Sequence, residues 1–203
     1  NKYTYPSITR VDSSGPRLYK TPEDGLVPSV TTILSKTKDM THLENWKNRV
    51  GEKNAERIRN AAASVGTSMH LFLESHILET KRKCDFSPTH SKAWGTELQL
   101  YYEDKYAGTT DVVGLYKGIP HIIDFKQTNK PKKKEWVEDY YLQLCAYAHA
   151  HNYITGSEIT SGVILMCSQD LQFQKFEMNE IAFQKYSYMW FNRVKEYNEL
   201  VTS

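Results

Sequence analysis

Three cysteines in 203 residues are too few and too scattered to organise a site. Cys84, Cys145 and Cys167 form no CxxC pair, and their odd number excludes a closed disulfide framework, which points to a reducing compartment. Three thiolates also fall short of the four that hold an iron-sulfur cluster, so no cluster is expected and all three read as buried small hydrophobes. Long apolar runs are missing: no stretch approaches the ~18 residues of a membrane span, and no signal peptide is recognisable. The chain opens on Asn1 rather than Met, which leaves room for a removed upstream targeting segment. Neither sign of charge dominates, and a formal net charge of +2 is too small to identify a nucleic-acid partner. Repeats and low-complexity tracts are absent. What remains, 39% hydrophobic and 25% charged, is ordinary globular usage and predicts one domain over 1–203.

The chemistry is concentrated in Gly108-Thr109-Thr110-Asp111 and Ile122-Ile123-Asp124-Phe125-Lys126. Asp111 and Asp124 lie symmetrically about Lys117-Gly118, and a two-residue loop with Gly second is a favoured hairpin closure. That turn would set the two acids directly opposite each other, with Cβ atoms roughly 5 Å apart. Carboxylates that close repel unless a cation lies between them. Lys126, two positions on, shares the side of Asp124 and stands roughly 6.6 Å further along, within reach of a metal-bound water. Oxygen ligands without thiolates suit Mg²⁺ or Mn²⁺, and such an ion acidifies water and stabilises charge on phosphate. Asp-x-Lys by itself is equally a solvated salt bridge. Its flanks argue otherwise, since Ile122, Ile123 and Phe125 read as a strand buried on both faces, where a bare Asp and Lys are costly without partners.

This pattern resembles the motif of the PD-(D/E)XK nuclease superfamily, in its RecB-like branch. Gly66-Thr67-Ser68-Met69-His70 resembles the helical Gly-x-x-x-His motif ahead of the core, and Gln143-Leu144-Cys145-Ala146-Tyr147 the Gln-x-x-x-Tyr motif behind it. More narrowly, Val27-Pro28-Ser29-Val30-Thr31, Leu43-Glu44-Asn45-Trp46-Lys47 and Leu73-Glu74-Ser75 resemble the mitochondrial genome maintenance exonuclease family and its phage and bacterial relatives, over roughly 27–195. The resemblance implies an α/β, restriction-endonuclease-like core, with a mixed central sheet flanked by helices and an N-terminal helical arch. It implies Asp111, Asp124, Lys126, His70, Gln143 and Tyr147 as catalytic residues. It implies Mg²⁺ or Mn²⁺ on His70, Asp111, Asp124 and the Phe125 carbonyl. The expected activity is a DNA exonuclease on single-stranded ends in replication, recombination or repair. Its setting is then the cytoplasm of a bacterium or phage-infected host, or the mitochondrial matrix. The alternatives are a structure-specific endonuclease on the same fold and a DNA-binding module without catalysis; the intact Asp111, Asp124 and Lys126 count against the latter. Where the family has Lys-Thr this chain reads Lys126-Gln127-Thr128, which makes Thr128 a candidate phosphate contact.

Lys130-Pro131-Lys132-Lys133-Lys134 follows this motif, so Lys132, Lys133 and Lys134 are expected beside the scissile phosphate. The predicted boundary between the N-terminal hairpin and helices and the catalytic core is near 64/65. Expected elements are a hairpin within 8–20, helices over 31–50, 52–63, 68–79 and 88–98, and a strand over 99–106. A helix over 135–151, a hairpin of 162–168 with 171–176, and a last helix capped by Asn179 complete the order. Glu74 shares the helix face of His70, as a ligand or as an acceptor that orients the imidazole. His149 and His151 read as surface residues. Trp46, Trp94, Tyr101 and Tyr102 are candidate stacking platforms for bases.

Overall fold

The computed structural model describes residues 2–11, 15–83 and 91–202; Cys84 and the start of the helix expected over 88–98 lie outside them. A small antiparallel sheet comes first, β1 (Thr9–Val11), β2 (Leu18–Lys20) and β3 (Leu26–Pro28), so the expected hairpin is present with a third strand added. Ser29 ends β3 and caps α1 (Val30–Lys36), its hydroxyl accepting the Thr32 N–H at 3.0 Å. The segment 27–31 thus turns a strand directly into a helix.

Next come α2 (Thr41–Val50) and α3 (Glu52–Lys83). The sequence suggested two helices on either side of Gly66, but α3 runs straight through. A mid-helix glycine costs about 1 kcal/mol relative to alanine, too little to end a helix of this length. Among the described side chains of α2 and α3, Ala55 alone is buried, so the pair stands off the body as a helical arm.

The main sheet has the order β4-β5-β6-β7-β8, formed by β4 (Ser91–Tyr102), β5 (Tyr106–Tyr116), β6 (Ile119–Thr128), β7 (Gly162–Ser168) and β8 (Phe173–Met178). All pairs are antiparallel except β6 with β7, which are parallel and joined through α4 (Glu138–Thr155). The helix expected over 88–98 is strand β4 where it is described. A bulge between Ala93 and Gly95 breaks the alternation, which leaves buried Trp94 and Leu98 at a spacing that imitates a helix. The helix expected to start at 135 begins instead with a 3₁₀ turn, Lys134–Trp136.

α4 packs on strands of the sheet, and α5 (Glu180–Thr202) packs on α4, so α4 is buried nearly all round rather than along one stripe. Asn179 caps α5, its Oδ1 accepting the Ala182 N–H at 3.0 Å. The stacking candidates fare differently: Trp94 and Tyr101 are buried, Tyr102 is packed among Tyr106, Tyr153 and Phe191, and only Trp46 is left half-buried on the arm. Cys145 is buried as expected, whereas Cys167 is half-exposed. Among the described residues, no helix is long and apolar enough to cross a membrane.

His151 is not a surface residue. It is fully buried, with Nε2 3.1 Å from the Tyr5 hydroxyl and Nδ1 2.7 Å from the Ser157 hydroxyl, because the N-terminal segment, through Tyr3 and Tyr5, covers the face of α4 that would otherwise meet water. Burial, with Lys2 adding to it, pushes the imidazole down to about 4. The unfolded chain therefore takes up this proton first as pH falls, so stability is intact above the ordinary histidine value of about 6.5 and drains between there and about 4. Denaturation midpoints are expected to drop from pH 7 to pH 5. His151→Gln should remove one proton's share of that slope, about 1.4 kcal/mol per pH unit.

Candidate functional site

The β5–β6 hairpin closes at Lys117-Gly118 in the expected register, with φ of +52° and +78°, the left-handed pair that a tight two-residue turn requires. Its ladder runs from Tyr116–Ile119 to Val112–Ile123 and stops. One step further the register sets Asp111 opposite Asp124, and there the strands part. The Phe125 N–H, left without a ladder partner on β5, donates to Asp111 Oδ2 at 2.7 Å. Gly108, in the same β5 segment, leaves room for a ring: a Cβ there would meet Tyr147 at 2.9 Å.

Asp124 is 2% exposed, on a strand paired on both sides. Lys126 Nζ lies 2.7 Å from its Oδ1 and 2.5 Å from its Oδ2, and 5.1 Å from the centre of the Tyr140 ring. The Oδ2 contact lacks hydrogen-bond geometry, which leaves a buried acceptor with attraction but no donor. Burial pushes the Asp124 carboxyl up to about 6, against the pull of Lys126. Burial also opposes the charge on Lys126, but Asp124 and Asp111 outweigh it and hold the ammonium above the usual lysine range.

His70, on α3, reaches across to the same place. Its Nε2 is 3.0 Å from the Phe125 carbonyl, an acceptor, so this nitrogen carries the proton. Nδ1 faces Asp111 Oδ1 at 3.4 Å and Glu97 Oε1 at 4.0 Å, and its hydrogen bond to Asp111 holds the imidazole above the usual histidine range; loss of the Nδ1 proton would free that nitrogen as a ligand. Sequence reasoning missed Glu97. It lies on β4 between the pairs Thr96–Val112 and Leu98–Thr110, hence opposite Asp111. Its φ of +47° is a left-handed conformation that a glutamate adopts at a cost of order 1 kcal/mol, the kind of strain that clusters at functional sites. A bulged strand offers no regular pattern by which to find it. His70, Glu97 and Asp111 each present a ligand atom within 4.8 Å of one another. Burial, then Asp111 and Glu74, raise the Glu97 carboxyl above its ordinary range, and a shared cation would relieve that repulsion. Glu74 itself accepts from the Thr96 hydroxyl at 3.3 Å, rather than from His70 as the sequence allowed.

Gln143 and Tyr147 come from α4, where Gln143 Nε2 donates to the Tyr147 hydroxyl at 3.3 Å. Burial first, then the charges of Asp124 and Asp111, push this phenol well up, so it stays protonated. Thr128 does not present its hydroxyl to a ligand: it is buried and donates to the Lys130 carbonyl at 2.9 Å, fixing the basic loop. Lys133 and Lys134 are exposed and Lys132 is half-buried.

The chain is 28% identical over 177 residues to mitochondrial genome maintenance exonuclease 1 of Xenopus tropicalis, with 72% of this chain and 50% of that protein covered. It is 29% identical to the mouse protein of that name, covering 85% of this chain and 59% of the relative, and 28% identical to the human one, covering 86% and 59%. The chain thus spans about half to three fifths of the curated relatives it matches, and the similarity supports a nuclease relationship. No family model matches. Among solved structures, one titled crystal structure of SSO0001 aligns over 83% of this chain and 75% of that one, at 16% identity and a TM-score of 0.45.

The His70–Glu97–Asp111 cluster is the donor set best arranged for a hard divalent ion, one imidazole nitrogen and two carboxylates, with the Asp124 acceptor beside it. Mn²⁺ titration followed by electron paramagnetic resonance should show Glu97→Gln weakening binding by about a hundredfold. Glu74→Gln, which removes only a neighbouring charge and an acceptor, should cost about tenfold or less. Equal effects of the two substitutions would remove Glu97 from the ligand set.

Proposed function

We propose that this chain is a RecB-like member of the PD-(D/E)XK superfamily and a metal-dependent deoxyribonuclease that degrades single-stranded DNA from a free end. The observation that carries this reading is the buried Asp124–Lys126 pair placed beside the His70–Glu97–Asp111 cluster. A structural salt bridge needs one acid. Here Lys126 meets the field of two, and further donors converge on the same point. The relatives' name, an exonuclease of mitochondrial genome maintenance, supports both the activity and a mitochondrial setting as one alternative to a bacterial or phage-infected cytoplasm.

The residues fit a divalent ion. Glu97, Asp111, Asp124 and His70 Nδ1 would hold it, and the expected role of the Phe125 carbonyl passes in part to holding His70, since that carbonyl already accepts the His70 proton. Mg²⁺ or Mn²⁺ there supplies an acidified water and charge stabilisation on the phosphate. Lys126 then positions or deprotonates the attacking water, a role for which neutralising the Asp124 charge prepares it by loosening the hold on its proton. Tyr147 and Gln143 fix the wall beside Asp124, with the Tyr147 hydroxyl kept as a donor. The arm of α2 and α3 suits the threading of one strand past His70, and the basic loop suits the backbone on the other side.

End-labelled oligonucleotides, each end labelled in turn, test this reading. Cleavage should vanish in excess EDTA and return with Mg²⁺ or Mn²⁺, and closed circular single strands should be spared. Cleavage of the circle would replace the exonuclease by an endonuclease on the same site; undiminished cleavage in EDTA would end the metal mechanism. Lys126→Ala should lower turnover by about 10² to 10⁴ while binding survives. A matched loss of affinity and turnover would recast Lys126 as a phosphate clamp.

A further inference from the structure

Packing removes most of the aromatic candidates that the sequence offers for stacking on bases, but it leaves one ring outside that set in the open. Of the four tryptophans, Trp94 and Trp190 are core residues and Trp46 is half-buried on the arm, whereas Trp136 is 62% exposed. A lone apolar side chain on a surface is ordinary. Place, rigidity and charge set Trp136 apart.

Trp136 closes the loop that leads from β6, the strand of Asp124 and Lys126, into α4. It stands one helical turn ahead of Asp139 and Tyr140, which line a cleft of about 340 Å³ that opens on Lys126. Its backbone is fixed. The Trp136 N–H donates to the Lys133 carbonyl at 3.0 Å, and the next residue, Val137, is fully buried. Further back, Gln174 holds both the N–H and the carbonyl of Lys132, at 2.7 and 2.9 Å, and the Thr128 hydroxyl holds the carbonyl of Lys130. Lys133 Nζ lies 5.6 Å from the centre of the indole, a cation–π contact, and Lys130 and Lys134 are exposed on the same short segment against one exposed acid, Glu135. A flat ring and cations held in place match a strand with unstacked bases: the ring takes a base, the ammonium groups take phosphates, and little ordering is left to be done on binding.

We propose that Trp136 is a stacking platform for one base of a single DNA strand, with Lys133 and Lys134 on the adjoining phosphates, so that the strand is gripped outside the cleft that leads to Lys126. The choice of DNA rests on the nuclease reading of that site. A duplex keeps its base faces stacked on one another and has no interior base to offer the ring.

The test is binding in EDTA, by fluorescence anisotropy, of three labelled probes of equal length: oligothymidylate, the same backbone with abasic sugars, and a blunt duplex. Trp136→Ala should weaken oligothymidylate about tenfold with its salt slope unchanged, and the abasic strand and the duplex by less than about twofold. Trp136→Phe should keep most of the wild-type affinity. Lys133→Met and Lys134→Met should weaken the base-bearing and abasic strands alike and lower the salt slope by about 0.7 each. Equal losses on all three probes for Trp136→Ala, or binding of oligothymidylate like wild type, would overturn the platform. Cleavage by the wild type with Mn²⁺ is read separately. Cleavage without base-selective dependence on Trp136 would sink the platform alone, and that dependence without cleavage would keep the platform and sink the nuclease reading.

Discussion

A carboxylate and an ammonium buried together on a central strand, Asp124 and Lys126, set the terms for the rest of this protein. Taking both charges out of water is expensive, and a buried pair survives only with close geometry and surroundings that exclude rearrangement. β6 supplies those surroundings. β5 pairs it antiparallel through its first half, β7 pairs it parallel through its second, and α4 covers Asp124 and Lys126 with Tyr140, Gln143 and Tyr147. The Asp124 Oδ2, buried in so closed a setting, has the Lys126 ammonium 2.5 Å away as its close neighbour.

The site forms where two pairings of one strand fall out of step. β6 stays bonded to β7 as far as Thr128, but its ladder with β5 ends at Ile123. The gap between β5 and β6 admits His70 from α3, and Asp111 bridges it by accepting the Phe125 N–H. Glu97 of β4, opposite Asp111 and in a left-handed conformation, faces the same opening. One parting of strands thus brings together His70, Glu97, Asp111 and Asp124 from a helix and three strands, while the continuous β6–β7 edge keeps Lys126 in place.

Around this rigid centre the protein is unevenly built. The face bearing α4 and α5 is densely packed and holds most of the aromatic residues, including fully buried Trp190 and Tyr106. The arm of α2 and α3 buries almost nothing, though it carries His70 to the centre. Elements with few buried contacts are the ones that open most readily. The arm is therefore the deformable side of the site, and the basic loop, tied down by Gln174 and Thr128, the pinned one.

Local chemistry was enough to read the hairpin, because a Lys-Gly turn has one favoured geometry and the register follows by counting to Asp111, Asp124 and Lys126. It was enough for the cap at Asn179 and for the two helices α4 and α5, but not for the expected helix over 88–98, which is strand where it is described. Tertiary structure decided what the chain's own periodicity could not. Glu97 joins the site by its place opposite Asp111, on a strand whose bulge obscures its alternation. The burial of His151 follows from the N-terminal segment, distant in sequence, closing over α4. The backbone of half-buried Lys132 is held from another strand by Gln174. For Glu97, His151 and Lys132 the deciding partner lies outside the local segment, and the cost of burial or of a lost hydrogen bond, which selects the conformation, exists only once that partner has arrived.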